Sequence, residues 1–184
     1  MSGAGPKSDT REQILNIAER GYRRGGFAGL SFRDIAAELS IKSASVHYHF
    51  PHKEDLGKAV VNRYADNFLK GLGAPDDVEE DRNIRMIRLA EAYKTAYAEG
   101  ESSCLCAVLG SVGPDLPKAV QKAVNEFFER LLQWTRIARE DDNTEQVSHM
   151  IAALQGAMIL SVATGKDEYL EQVVKHLTDS VHEQ

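Results

Sequence analysis

The chain has 184 residues, 42% of them apolar and 27% charged, with a formal net charge of −6. That length suits one large domain or two small ones, and that composition excludes a disordered chain. No stretch of about 18 apolar residues stands out, so no membrane span is expected. The opening MSGAGPKSDT lacks the hydrophobic core of a signal peptide, which makes the cytoplasm the expected compartment. The charge is unevenly placed. Residues 1–70 carry a net +3 and residues 71–184 a net −9, so only the N-terminal part has the excess of cations that phosphates require. The two cysteines, Cys104 and Cys106, are one residue apart, too close for an ordinary structural disulfide, and a reducing compartment keeps them as thiols.

Residues 1–8 form a tail with no expected order. A first helix is predicted from about Thr10 to Arg24, burying Ile14, Leu15, Ile17, Ala18 and Tyr22. Asp9 with Glu12, or Thr10 with Gln13, offers a cap. Gly25–Gly26 ends it, and Phe27 and Leu30 drop into a small core. Ser31 then caps a second helix with Asp34 three residues on, and Phe32, Ile35, Ala36 and Leu39 make one apolar stripe. Ser40–Ile41 breaks that pattern. A third helix covers about Ser43 to His49 and stops before Pro51. Two short helices joined by a tight turn, the second rich in polar and aromatic residues, read as a helix-turn-helix whose second helix enters the DNA major groove. Val46 and Phe50 belong to the core.

A fourth helix starts near His52 with Glu54 and Asp55 in its first turn. It runs to about Lys70, with Leu56, Ala59, Val60, Tyr64 and Phe68 on its apolar face, long enough to connect two domains. The run from Gly71 to Pro75 is a breaker. A fifth helix follows from about Glu79 to Glu99. Its apolar residues Ile84, Met86, Ile87, Leu89, Ala90, Tyr93 and Tyr97 cover more than one face, as in a central bundle helix. A short helix from Ser103 to Leu109 ends at Gly110. A long one from about Pro117 to Arg139 carries Val120, Val124, Phe127, Phe128, Leu131, Trp134 and Ala138. The acidic loop 140–143 precedes a helix from Thr144 to Thr164, with Val147, Ile151, Leu154, Met158 and Val162 on one side and a small-residue band of Ala152, Ala153, Gly156 and Ala157. After Gly165–Asp167 the last helix carries Leu170, Val173, Val174, Leu177 and Val181. No strand pattern and no internal repeat appears. The expected fold is all-α: a three-helix, helix-turn-helix DNA-binding domain over residues 1–52, and a helical bundle over 53–184 whose last two helices suit dimerisation.

Ile35–Ala36, Ile41, Tyr48–His49–Phe50 and Lys53–Glu54–Asp55–Leu56 together resemble the signature that closes the DNA-binding domain of the TetR family. The likeness in motif covers about Thr10 to Tyr64; beyond it the chain matches only in size and helical character. Three positions depart from the pattern. Ser40 stands where a turn Gly is usual, which strains a left-handed residue by on the order of 1 kcal/mol. Ala44 stands where Gly or Pro is common, and His47 where Tyr is common. The resemblance implies a homodimeric transcriptional regulator whose helical bundle over 53–184 is the ligand-binding and dimerisation domain, most simply a repressor released from a palindromic operator by a small molecule. It also implies that Arg33 reaches a guanine edge or a phosphate.

Around that frame, Lys42, Ser43, Ala44, Ser45, His47 and Tyr48 form the exposed face of the recognition helix. Ser43 and His47 are the expected base readers, Ala44 touches a thymine methyl, and Ser45, Tyr48 and Lys53 hold phosphates. His47, His49 and His52 do not share the i, i+4 spacing of a metal pair, so no metal is expected. No cofactor is called for. The ligand pocket implied by the resemblance is placed among Tyr93, Tyr97, Cys104, Cys106, Phe127, Leu131, Trp134 and Met158. Arg88, His149 and Gln155 are polar candidates on mainly apolar helices. Homodimerisation is expected through the two C-terminal helices, packed as a four-helix interface. An alternative is a thiol-based sensor of oxidants or electrophiles at Cys104–Cys106. A thiol enzyme is a weaker alternative, because no Asp/His partner is identifiable and the spacing is not C-x-x-C. A further one is a DNA-binding protein with no effector.

Overall fold

The computed structural model describes residues 6–73, 82–99, 102–136 and 144–182. The tail 1–5, the Ala74–Pro75 end of the expected breaker and the acidic loop 140–143 lie outside them. The described residues are helical and contain no strand.

Helix α1 spans Pro6–Gly25 and starts a turn earlier than the sequence pattern predicts, because Pro is well placed in a first helical turn. Asp9 is therefore inside the helix. It accepts a hydrogen bond from Gln13 Nε2 at 3.2 Å instead of serving as a cap. Gly26, with φ 66°, ends the helix as expected. Helices α2 (Phe32–Glu38) and α3 (Ser43–His49) form the helix-turn-helix. Helix α4 (Lys53–Leu72) leads out of it, and α5 covers Arg82–Ala98. Helix α6 (Leu105–Gly110) begins two residues later than predicted. A 3-10 turn at Gly113–Asp115 leads to α7, Lys118–Arg136. Helices α8 (Thr144–Thr164) and α9 (Glu168–His182) complete the chain.

One apolar core runs through all of it. Ile14, Ala18 and Tyr22 of α1, Ile35 of α2 and Val46 of α3 join Leu56, Val60 and Val61 of α4. They continue into Leu89 and Tyr93 of α5, Phe127 and Leu131 of α7, Leu154 and Met158 of α8 and Leu170 of α9. Helix α4 is the shared member. On one side Arg63 donates to Glu12, Asn16 and Glu19 of α1 at 3.1, 2.8 and 2.8 Å. On the other, Tyr64 and Phe68 meet Phe127 of α7, with ring centroids 5.8 Å apart in both cases. The far end of α4 is tied down as well. Trp134 donates to the Gly73 carbonyl at 3.0 Å, and Arg88 donates to that of Leu72.

Helix α8 departs from the expectation that no apolar stretch has spanning length. Val147–Thr164 is long and apolar enough to cross a membrane by length and composition, with a mean hydropathy of 1.5. Only 39% of it is buried within the protomer. One face, including Val147, Leu154, Met158 and Ser161, is buried. The opposite face carries Ala152 and Ala153 in the open, with Ile159, Leu160 and Val162 exposed at 51%, 50% and 42%. Val162 thus leaves the stripe in which periodicity places it, and Ser161 takes the buried position. Its hydroxyl accepts from the Leu170 amide at 3.2 Å across the turn into α9.

Candidate functional site

The helix-turn-helix is built from local rules. Ser31 and Asp34 form a reciprocal capping box. The Ser31 amide donates to Asp34 Oδ2 at 2.7 Å, and the Asp34 amide donates to Ser31 Oγ at 3.3 Å. The Ser31 hydroxyl also donates to Asp34 Oδ2 at 2.7 Å, and this bond, with that from the Ser31 amide, holds the Asp34 carboxyl below its ordinary pKa. The turn between α2 and α3 passes through Ser40 at φ 55°, the one non-glycine residue with positive φ among those described. It closes with hydrogen bonds from the Ser40 amide to Ala37 and from the Ile41 amide to Ala36, at 3.1 and 2.9 Å. Val46 and Phe50, both buried, pin α3 onto this frame.

The remaining side chains of α3 face outward. Tyr48 is 69% exposed. Lys42, Ala44 and His47 are exposed, as is Arg33 on α2, and Ser43 and Ser45 are half-buried. His47 is positioned by two neighbours. The Phe32 ring meets it edge-on at 4.7 Å, and its Nδ1 lies 3.3 Å from the Pro51 carbonyl. A neutral ring that donates from Nδ1 keeps Nε2 as an acceptor. Lys53 is less free than its neighbours. Its Nζ lies 4.7 Å from the centre of the Phe27 ring. Burial lowers its pKa, while the Asp34 charge acts in the opposite sense.

Thr10 lines a recess of about 470 Å³ together with Lys42, Ala44, Ser45, Tyr48 and His49. The spacing within the helix-turn-helix held no signal for that placement, since Thr10 lies more than thirty residues before the recognition helix and only the packing of α1 brings it there. Arg11 follows the same logic, its guanidinium 5.2 Å from the centre of the Phe50 ring.

The eight residues proposed for a ligand pocket do not enclose one open space. Tyr93, Cys104, Cys106, Phe127, Leu131, Trp134 and Met158 are all buried in the core. Trp134 is engaged with Gly73. Gln155 Nε2 donates to the Tyr93 hydroxyl at 2.8 Å. The Tyr64 hydroxyl is buried beside the Cys104 thiol, without a well-aligned hydrogen bond. Burial raises the Cys104 pKa, but the polar groups packed around it, the Cys106 thiol first and then the Tyr64 hydroxyl and Gln155 amide, outweigh burial and bring the thiol down to about 6. Burial, then Cys104, pushes the Cys106 thiol up. Tyr97 stands apart. It donates to Asp167 at 2.7 Å and lines a cleft between α5 and the α8–α9 corner.

The cleft of interest lies elsewhere, on the seam between α1, α4 and α5. It has a volume of about 580 Å³, and its lining includes Glu19, Arg23, Tyr64, Phe68, Glu91 and Glu99. Arg23 crosses this seam. It donates to the carbonyls of Ala96, Ser102 and Ser103 at 2.8, 3.2 and 3.1 Å, and so staples α1 to the end of α5 and the approach to α6. None of the eight predicted pocket residues lines this cleft. Spacing within one helix does not reveal it, because its walls come from three.

An outward-facing recognition helix, set by the turn after a capped α2 and carried on a helical C-terminal body, defines a helix-turn-helix regulatory protein. Residues 14–60 match the profile of the bacterial regulatory proteins of the tetR family. The fold of the whole chain is similar to that of a TetR transcriptional regulator from Legionella pneumophila, with a TM-score of 0.84 and 28% identity over 98% of this chain and 99% of that one. It is likewise similar to a TetR-family regulator from Agrobacterium tumefaciens, with a TM-score of 0.83 and 24% identity over 95% and 98%. Among curated proteins, the HTH-type nicotine-responsive transcriptional repressor HdnoR of Paenarthrobacter nicotinovorans is 27% identical over 97 residues. That match spans 53% of this chain and about half the length of that relative. Residues 14–60 thus carry the DNA-binding domain of the tetR family, and the chain as a whole shares the fold of TetR regulators of known structure.

Proposed function

We propose that the protein is a sequence-specific DNA-binding repressor that works as a homodimer and leaves its operator when a small molecule binds the C-terminal body. The observation that carries this reading is the exposed polar face of α3, flanked by Arg33 and backed by Val46 and Phe50. Arg33 and Lys42 supply charge to phosphates or guanine edges, His47 and Ser43 read bases, and Ser45, Tyr48 and Lys53 set the register on the backbone.

One helix-turn-helix makes few contacts, and two-fold pairing doubles them. The open apolar face of α8 is the surface a second copy would cover, with α9 beside it. The two recognition helices then meet half-sites about 34–36 Å apart, or a multiple of that. Ligand binding favours an arrangement of the C-terminal body that shifts α4 and changes that separation, so both half-sites can no longer be filled together. That HdnoR is a nicotine-responsive repressor supports a small organic molecule as the effector. A DNA-binding role places the protein in the cytoplasm. The family and fold support a regulator over a thiol enzyme at Cys104–Cys106.

The test is selection of a duplex from random DNA by the full-length protein, followed by anisotropy titration at several salt concentrations. Arg33→Ala and Lys42→Ala should each weaken binding about tenfold or more, and a lost phosphate contact should lower the salt slope by about 1. Dimerisation should be unchanged. No selected sequence, or full affinity in both variants, would refute the reading.

A further inference from the structure

We propose that the cleft on the seam of α1, α4 and α5, where the Tyr64 and Phe68 rings stand beside Glu91 and Glu99, is the effector site, and that it takes an organic cation with an apolar body. The proposal rests on the effector-released reading above. The volume, about 580 Å³, falls in the range of drug-sized ligands. The alternative space inside the bundle is filled, since Tyr93, Cys106, Phe127, Leu131 and Met158 are buried against one another.

The charges decide the sign of the ligand. Both arginines of the lining already have acceptors. Arg23 holds three carbonyls, and Arg88 donates to Leu72 with its guanidinium 5.7 Å from the centre of the Trp134 ring. The carboxylates are less engaged. Glu19 accepts from Arg63 at 2.8 Å, while Glu91 and Glu99 are exposed and form no ion pair among the described residues. An anion would have to compete for Arg23 with the carbonyls it holds. A cation meets available carboxylate oxygens and the faces or edges of two aromatic rings.

The location also supplies a route to DNA. One wall of the cleft, α1, packs in the helix-turn-helix unit; the opposite wall, α5, belongs to the C-terminal body. A ligand that fits best when the walls are further apart competes with the Arg23 staple. It thereby favours an arrangement in which α1, and the recognition helix packed near it, has moved relative to α5.

Calorimetric titration of the full chain with benzyltrimethylammonium, neutral N,N-dimethylbenzamide and anionic benzoate tests the assignment. The cation should bind at least tenfold more tightly than the amide, and benzoate should not bind. The double substitution Glu91→Gln, Glu99→Gln should weaken the cation at least tenfold, and Ala92→Phe, which fills the cleft, should abolish its binding. Glu171→Gln, in the α5–α9 cleft, should leave it unchanged, and thermal melts establish that each variant folds. Absence of cation binding, equal binding of cation and amide, or indifference to both cleft variants overturns the site. Anisotropy with the selected duplex separates the two readings. Cation binding that leaves the duplex bound overturns the release reading and, with it, the effector role. Release of the duplex by the amide or benzoate, without cation binding, overturns the cleft assignment alone.

Discussion

Ser40 shows how a single residue carries both a structural cost and an identity. It occupies the left-handed region at φ 55°, where a Cβ crowds the following carbonyl. The turn needs that conformation so that the Ile41 amide reaches back to Ala36. Ser40→Gly should therefore stabilise the protein by about 0.5–1 kcal/mol, the relief of strain being partly offset by the greater freedom of Gly in the unfolded chain. A chemical denaturation midpoint that does not rise would contradict the strain. Asp34 acts at the same scale through its hydrogen bonds. Its lowered pKa means that its contribution is complete above the ordinary carboxylate value of about 4 and is lost as pH falls below that.

Among the elements, α4 has the most demanding position, and Gly57 is where it is tightest. A Cβ there would lie 2.7 Å from Phe27 Cε2 and 2.9 Å from Val120 Cγ2. Helix α4 thus passes between the helix-turn-helix unit and α7 with no room for a methyl group. Ala would gain about 1 kcal/mol of helix propensity, but overpacking of this kind costs about 1–3 kcal/mol. Gly57→Ala should then lower stability by about 1 kcal/mol, the middle of the range of about 0–2 kcal/mol left by that difference, read as a fall in melting temperature. An unchanged or higher melting temperature would show that Phe27 and Val120 yield easily and that the α4 contact is loose. Helix α8 is the contrasting element. Its pattern is apolar on both faces, one packed inside the protomer and the other open at its surface.

For the whole molecule, the outer face of α8 is the feature that a single protomer leaves unexplained. Exposed Ile159, Leu160 and Val162 beside Ala152 and Ala153 form a contiguous apolar surface on one helix, of the kind that marks an association site. Leu160→Glu should give a monomer in sedimentation equilibrium with its helix content and melt preserved, and operator affinity should fall at least tenfold because half-sites are then bound singly. A variant that stays dimeric would move the interface elsewhere.

Local order was legible in the chain itself. The Ser31–Asp34 box, the bounds of α3 and α8 and the buried Val46 and Phe50 follow from caps, breakers and periodicity, which act within a few residues, whereas the left-handed Ser40 was implied by the family resemblance. The resemblance to the TetR family rested on the same short segment. Tertiary structure decided everything that depends on which helix lies beside which. It brought Thr10 to the recognition helix, drew Arg23 across to the carbonyls of Ala96, Ser102 and Ser103, and left Ser161 rather than Val162 inside. It also filled the expected interior pocket with its own side chains and opened the cleft on the seam. Periodicity reports that a helix has an apolar face, but burial and an empty cleft depend on the partner that face meets, and no one segment encodes that partner.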